Sequence, residues 1–367
     1  MSEHKIIWWM PQIGATERQL VNQVLDSNYV NEGELATQLE EKMAALLGTK
    51  YAIATTSGTI AIFLALKGLG IGHGDEVIVP DVTFVATANA VILTGAKPIL
   101  VDVYPHNLNI DVERVEQAIT PKTKAIVPVH VTGRAADMEK ILEVAKKHNL
   151  FVVEDAAEGL LSKHKGKYLG TFGNAGCFSF SPNKTITTGQ GGIVVTNDEK
   201  LCTAIREIKD HGRPKRGTGG DDLHNVVGFN FKFTNLQAAV GLGQINYLQA
   251  RTARMKEIYK EYSEQLKNIK GFDIFKCDVE NGESPQWTDA LVDRRDELDK
   301  YLREHNIDCR RYWFPIHSQK PYELSDDNFP VSKALCQKAI WLPSCFSMTT
   351  EDVKLVCQKI KDFYLNK

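Results

Sequence analysis

Met138-Glu-Lys-Ile-Leu-Glu-Val-Ala-Lys-Lys-His148 is followed, after Asn149, by Leu150-Phe-Val-Val-Glu-Asp-Ala-Ala-Glu158. The first piece reads as an amphipathic helix, and 150–154 as a buried strand. Working outward, Tyr51–Thr55, Glu76–Pro80, 98–101 and 125–130 are apolar runs of strand length upstream. Downstream, 175–180 and Gly192–Thr196 are two more. A helix is predicted over 59–69, and Ala36, Leu39, Met43, Leu46 and Leu47 recur at helical spacing. Short apolar strands separated by helices predict an α/β fold with a mainly parallel sheet. Beyond Gly243 the texture changes. A long charged helix is predicted over 245–266, then short mixed elements and a closing helix over 350–364. This predicts a large domain over 1–250 and a smaller C-terminal α/β domain over 251–367.

Bulk properties exclude several classes. The 367 residues carry 44 Lys plus Arg against 46 Asp plus Glu, a net charge of −2. That balance argues against nucleic acid or an anionic membrane as a partner. The seven cysteines form no CxxC and are odd in number, as expected of reduced thiols in a cytoplasmic protein. The start shows no signal-peptide pattern, and no apolar run approaches the roughly 20 residues that span a bilayer.

Four segments carry chemical interest. Thr56-Ser57-Gly58-Thr59 lies between a strand and a helix. Glycine and free N–H groups at a helix start suit an anion, although Ser57 or Thr59 also serves as a plain cap. Glu154-Asp155-Ala156-Ala157-Glu158 sits at the carboxyl end of a strand, the ligand edge of open α/β sheets. A carboxylate there suits a protonated ring nitrogen or a helix cap. In Cys177-Phe-Ser-Phe-Ser-Pro-Asn-Lys184-Thr-Ile-Thr-Thr-Gly-Gln-Gly-Gly192, a lysine follows a strand inside a loop bounded by Pro and Gly. It is either an imine-forming amine or a solvated loop lysine. Val227-Gly-Phe-Asn-Phe-Lys-Phe-Thr-Asn-Leu-Gln-Ala-Ala239 leads into an Ala-rich helix. The loop 211–222, rich in Gly and charge, reads as a lid or interface loop.

Taken together, these motifs resemble the DegT/DnrJ/EryC1/StrS family of sugar aminotransferases. The resemblance runs from Ser27-Asn-Tyr-Val-Asn-Glu-Gly33 through Pro80-Asp-Val-Thr-Phe-Val-Ala-Thr87 and Asn183-Lys-Thr-Ile-Thr-Thr-Gly189 to Gly228-Phe-Asn-Phe-Lys-Phe-Thr-Asn235, 310–317 and Leu342-Pro-Ser344. It is strongest to the branches that make GDP-perosamine and that aminate UDP-sugars for bacillosamine. It implies the aspartate-aminotransferase fold (fold type I), with a seven-stranded sheet and pyridoxal 5'-phosphate (PLP) as cofactor. It further implies Lys184 as the Schiff-base lysine and proton shuttle, and Asp155 as partner of the pyridine nitrogen. Glu158, where many members have Gln, falls near the cofactor's 3′-oxygen, and Phe84 stacks on its ring. Gly58, Thr59 and Ser179 hold the phosphate, with Asn230 reaching across from a second subunit of a homodimer. Arg310 and His317 fall near the amino donor or the nucleotide sugar. Arg213 and Arg216, read by themselves, either offer charge for a diphosphate or belong to a solvated, charged turn. Gln190 departs from the Glu common at its position.

The implied reaction moves an amino group from glutamate to a nucleotide-linked 4-keto-6-deoxy sugar. Rival enzyme classes fit poorly. Gly68-Leu-Gly-Ile-Gly-His-Gly74 lacks GxGxxG spacing and follows a helix, and Lys184-Thr185 lacks the preceding Gly of a P-loop. Cys345 is a weak counterpart of a desulfurase cysteine. A PLP-binding regulator without turnover is the remaining alternative, and an intact Lys184 and Asp155 argue against it.

Overall fold

Seven strands form the central sheet of the computed structural model, which describes residues 4–215 and 222–365. They are β1 (Tyr51–Thr55), β2 (Glu76–Pro80), β3 (Lys97–Val101), β4 (Thr123–Ile126), β5 (Phe151–Asp155), β8 (Ala175–Ser179) and β9 (Gly192–Thr196), in the order β1-β9-β8-β5-β4-β2-β3. Between β5 and β8, the short strands β6 (Lys163–His164) and β7 (Lys167–Tyr168) pair as a separate hairpin. β2, β3, β4, β5 and β8 run parallel, and β9 is antiparallel to both neighbours, β1 and β8. The ends of β1, β2, β5 and β8 and the start of β9 therefore share one edge. The predicted mainly parallel α/β sheet is what the chain forms.

Both faces are covered, as a sheet of this kind requires. On one face lies the helix Gly58–Gly68, whose Ala61 to Leu66 are all buried. On the other, Met138–His148 inserts Met138, Ile141 and Val144 against Ile78, Ile126 and Val152. Helices Glu34–Leu47 and Asn235–Ile245 close the β1–β9 end.

A second sheet, all antiparallel, contains β10 (Phe272–Ile274), β11 (Asp289–Val292), β12 (Arg310–Arg311) and β13 (Ala339–Trp341), in the order β10-β11-β13-β12. Helices Leu248–Gln265, Arg295–Glu304 and Thr350–Leu365 supply its apolar cover. Its register sets Asp289 and Arg310 on either side of Trp341.

One expectation is corrected. The run 125–130 is regular strand only to Ile126; Pro128 offers no N–H to the ladder, and pairing with β5 resumes as an isolated bridge between Val129 and Asp155. The helix predicted over 245–266 forms as Leu248–Gln265, set off by Asn246 and Tyr247 from the preceding helix Asn235–Ile245. All seven cysteines are free and buried. Among the described residues, no helix is long and apolar enough to cross a membrane.

Candidate active site

At the shared strand edge, a cavity of about 330 Å³ opens, lined by Gly58, Thr59, Phe84, Asp155, Glu158, Ser179, Lys184 and Arg310, among others. Eight residues from separate stretches of the sequence thus converge on one space. Gly58 begins its helix beside β8, and a Cβ there would lie 2.8 Å from Ser179 Cβ. Gly192 is equally constrained, since its Cβ would sit 2.4 Å from the Ser57 backbone. These contacts press the helix start against two strand ends. Ser57 Oγ accepts from Ile60 N–H at 3.2 Å, so the capping reading of Ser57 holds. The N–H groups of Gly58 and Thr59 have no partner among the described residues. A free helix start beside the Ser179 hydroxyl fits a phosphate.

Asp155 ends β5 and is buried. Its Oδ2 accepts from Thr87 Oγ1 at 2.7 Å and its Oδ1 from Ala157 N–H at 3.1 Å. Burial pushes this carboxyl above its ordinary range, against those two hydrogen bonds and the Lys184 charge. A desolvated carboxylate facing a cavity is matched by a cationic N–H, which the ring nitrogen of PLP offers. Lys184 Nζ donates to Glu158 Oε1 at 3.1 Å and lies 4.9 Å from the Trp287 ring centroid. Thr132 N–H donates to the other oxygen, Glu158 Oε2, at 2.8 Å. A primary amine, a buried acid and an anion cradle in one cavity are the fittings PLP needs.

Arg310, on β12, has its guanidinium carbon 4.9 Å from the Trp8 ring centroid and 5.6 Å from that of Trp341. It has no hydrogen-bond acceptor among the described residues. Burial weakens its hold on its proton relative to an ordinary arginine, yet the group stays cationic. Trp287, Trp313 and Trp341 line the same wall. Trp313 and Trp341 lie 4.7 Å apart, and the other two tryptophans, Trp8 and Trp9, pack against Trp287 at 5.2 and 6.2 Å. No motif marks this wall in the sequence, because its members lie far apart along the chain. Thr87 closes the stretch Pro80–Thr87, and nothing local in the sequence ties it to Asp155.

Three expected site residues do not line this cavity, one of them, Asn230, expected to serve a second subunit's site. His317 is buried beside Asp81, just past the end of β2, its Nδ1 2.6 Å from Asp81 Oδ2 and its Nε2 3.0 Å from Asp326 Oδ1. It stacks on Phe329 with ring centroids 4.4 Å apart. Arg213 pairs with Asp222 at 2.6 Å and Asp210 at 3.3 Å, away from the cavity. Asn230 is exposed and also off the cavity. Arg216 lies outside the described residues.

A sequence profile of the DegT/DnrJ/EryC1/StrS aminotransferase family matches residues 11–361. The chain belongs to this family. It is 38% identical over 364 residues to GDP-perosamine synthase of Escherichia coli O157:H7, covering 98% of each. It is 34% identical over 328 residues to UDP-2-acetamido-2-deoxy-3-oxo-D-glucuronate aminotransferase of Pseudomonas aeruginosa, covering 89% of each. The PLP form of Spr1654 from Streptococcus pneumoniae superposes with a TM-score of 0.93 at 25% identity, covering 99% of each chain. As a family member the protein is a PLP-dependent aminotransferase of the aspartate-aminotransferase fold.

Proposed function

We propose that this aminotransferase moves the amino group of glutamate to C4 of a nucleotide-linked 4-keto-6-deoxy sugar. GDP-4-keto-6-deoxymannose, giving GDP-perosamine, is the first choice. The observation that carries it is the 38% identity, across 98% of both chains, to a GDP-perosamine synthase. The likeness to the P. aeruginosa enzyme favours a UDP-linked sugar as the second reading.

When bound, PLP supplies an aldehyde that links to amines and a ring that accepts electrons. The chain's own groups do the rest. The free N–H groups of Gly58 and Thr59 and the Ser179 hydroxyl bind the phosphate. Asp155 holds a proton at the ring nitrogen, and Thr87 and Ala157 fix the direction of its carboxylate. Lys184 Nζ takes the proton from the donor's α-carbon, then delivers one to C4 of the sugar in the second half-reaction. Glu158 keeps that amine aimed into the cavity. Arg310 presents an unpaired fork of donors that suits the donor's carboxylate or the sugar's diphosphate. The tryptophan wall excludes water.

The test is a panel of GDP-, UDP- and dTDP-linked 4-keto sugars offered to purified holoenzyme with glutamate. Turnover fastest with the GDP-linked sugar supports the first choice. Turnover with a phosphorylated three-carbon ketone, and with no nucleotide sugar, overturns the substrate class.

A further inference from the structure

Thr132 sits where a β-branched residue seldom does. It is fully buried, and its backbone is left-handed, with φ 50° and ψ 27°. Threonine takes that conformation only when its surroundings over-determine it. Here they do. Its carbonyl accepts from Gln286 N–H at 2.9 Å, and its Oγ1 donates to Asp289 Oδ2 at 3.2 Å. Asp289, on β11 of the second sheet, is itself clamped. Arg134 donates to both its oxygens, at 2.6 and 2.9 Å, and Tyr312 Oη donates to Oδ2 at 2.6 Å. The next residue, Gly133, is pressed so closely on the same segment that a Cβ would lie 2.0 Å from Ser284 O.

The product of this constraint is one aimed N–H. With Thr132 left-handed, its amide points at Glu158 Oε2 at 2.8 Å, leaving Oε1 for Lys184 Nζ at 3.1 Å. The segment leading into β11 also grips the lysine loop, since Thr185 Oγ1 donates to Gln286 Oε1 at 2.7 Å. We infer that Thr132 is a positioning residue, through which Asp289 on the second sheet fixes the Glu158 carboxylate against Lys184. The inference rests on the reading of Lys184 as the lysine that bonds PLP. Besides Glu158, the titratable or charged groups acting around this pair are Asp155, Arg310 and Tyr312. None of them is removed by substituting Thr132.

The experiment uses holoenzyme and follows the visible absorption of bound PLP against pH. Thr132→Val keeps the branch but loses the hydroxyl that Asp289 holds. It is expected to move the pH profile in the same direction as Glu158→Gln, by about half a pH unit or more. Thr132→Ser keeps the hydroxyl and should match the wild type. In a Glu158→Gln background, Thr132→Val should add nothing, because both act through one carboxylate. If Thr132→Val does not fold, Thr132→Gly takes its place, since glycine accepts the left-handed backbone and lacks the hydroxyl along with the rest of the side chain. An unmoved profile in a folded hydroxyl-free variant overturns the inference, and so does a shift that persists undiminished in the Glu158→Gln background. Borohydride labelling separates the two readings. A label on another lysine defeats the reading underneath, whereas a label on Lys184 with an unmoved profile defeats this inference alone.

Discussion

Lys184 Nζ donates to Glu158 Oε1 at 3.1 Å, inside the cavity that Asp155 also lines. An amine held this way faces a bound aldehyde without swinging into solvent. Borohydride reduction of the holoenzyme followed by peptide mapping is expected to place the label on Lys184. Lys184→Ala should fold and bind PLP without a covalent link, and its turnover should fall by roughly a thousandfold or more.

Asp155 supports a second expectation, with a sign that depends on pH. Burial raises its folded-state carboxyl above the unfolded value. Its contribution to stability is therefore present below the unfolded value and lost as pH rises through the folded one. In the cofactor-free protein, Asp155→Asn should melt higher than wild type at pH 8, and the difference should vanish in acid. With PLP bound, the ring nitrogen compensates the charge, and the same variant should lose turnover by orders of magnitude. Wild-type turnover in Asp155→Asn would refute the role.

His317 is expected to act on stability. Removing its ring in His317→Ala leaves Asp81 buried without its side-chain partner, a loss of about 3 kcal/mol for breaking a buried pair. Burial already raises the Asp81 carboxyl, against the His317 contacts. Acid that neutralises Asp81 should shrink the deficit, so the melting loss is larger at pH 8 than at pH 5. KM for glutamate and for the sugar should stay at the wild-type value. A raised KM at unchanged stability would return His317 to the substrate site.

How much of this was legible in the sequence follows from how local each signal is. Asp155 at a strand end, Lys184 just past another and Gly58 at a helix start are short-range patterns, and all three line the cavity. His317 follows a basic and aromatic run and reads like a ligand, but its partner Asp81 lies 236 positions away. The tryptophan wall, Thr87 and the Thr132–Asp289 contact are products of tertiary register. Arg310 opposite Trp341 is a pairing that β12 and β13 create and that neither segment announces. Pro128 was visible in the chain, and its missing N–H interrupts the ladder where β4 ends, before the Val129–Asp155 bridge.

Arg310 offers a guanidinium with no acceptor among the described residues, on the cavity wall. A charge-assisted hydrogen bond is worth about 1.5–3 kcal/mol, so Arg310→Ala should raise one KM by roughly ten- to a hundredfold. Separate half-reactions tell which. A rise for glutamate alone assigns the carboxylate, and a rise for the nucleotide sugar alone assigns the diphosphate. Arg310→Lys should recover only part of the loss, because lysine has no planar fork. Equal, small effects on both half-reactions would leave Arg310 as packing for Trp8 and Trp341.

A homodimer with shared sites is the last expectation. Asn230 is exposed and stands off the cavity of its own chain. It follows Leu223, Val226, Val227 and Phe229, which are 64%, 44%, 84% and 39% exposed. That much apolar surface beside one polar residue fits a face covered by a second copy. Sedimentation at assay concentration should therefore show a dimer. The sharing itself is read by mixing two inactive variants, Lys184→Ala and Asn230→Asp, the second placing a negative charge beside a partner's phosphate. If each site draws Lys184 from one chain and Asn230 from the other, a mixed dimer has one site with both defects and one with none. Random mixing makes about half the dimers mixed, so activity should return to about a quarter of wild type. If both residues served one site within a chain, mixing would restore nothing, and an active monomer would remove the shared site altogether.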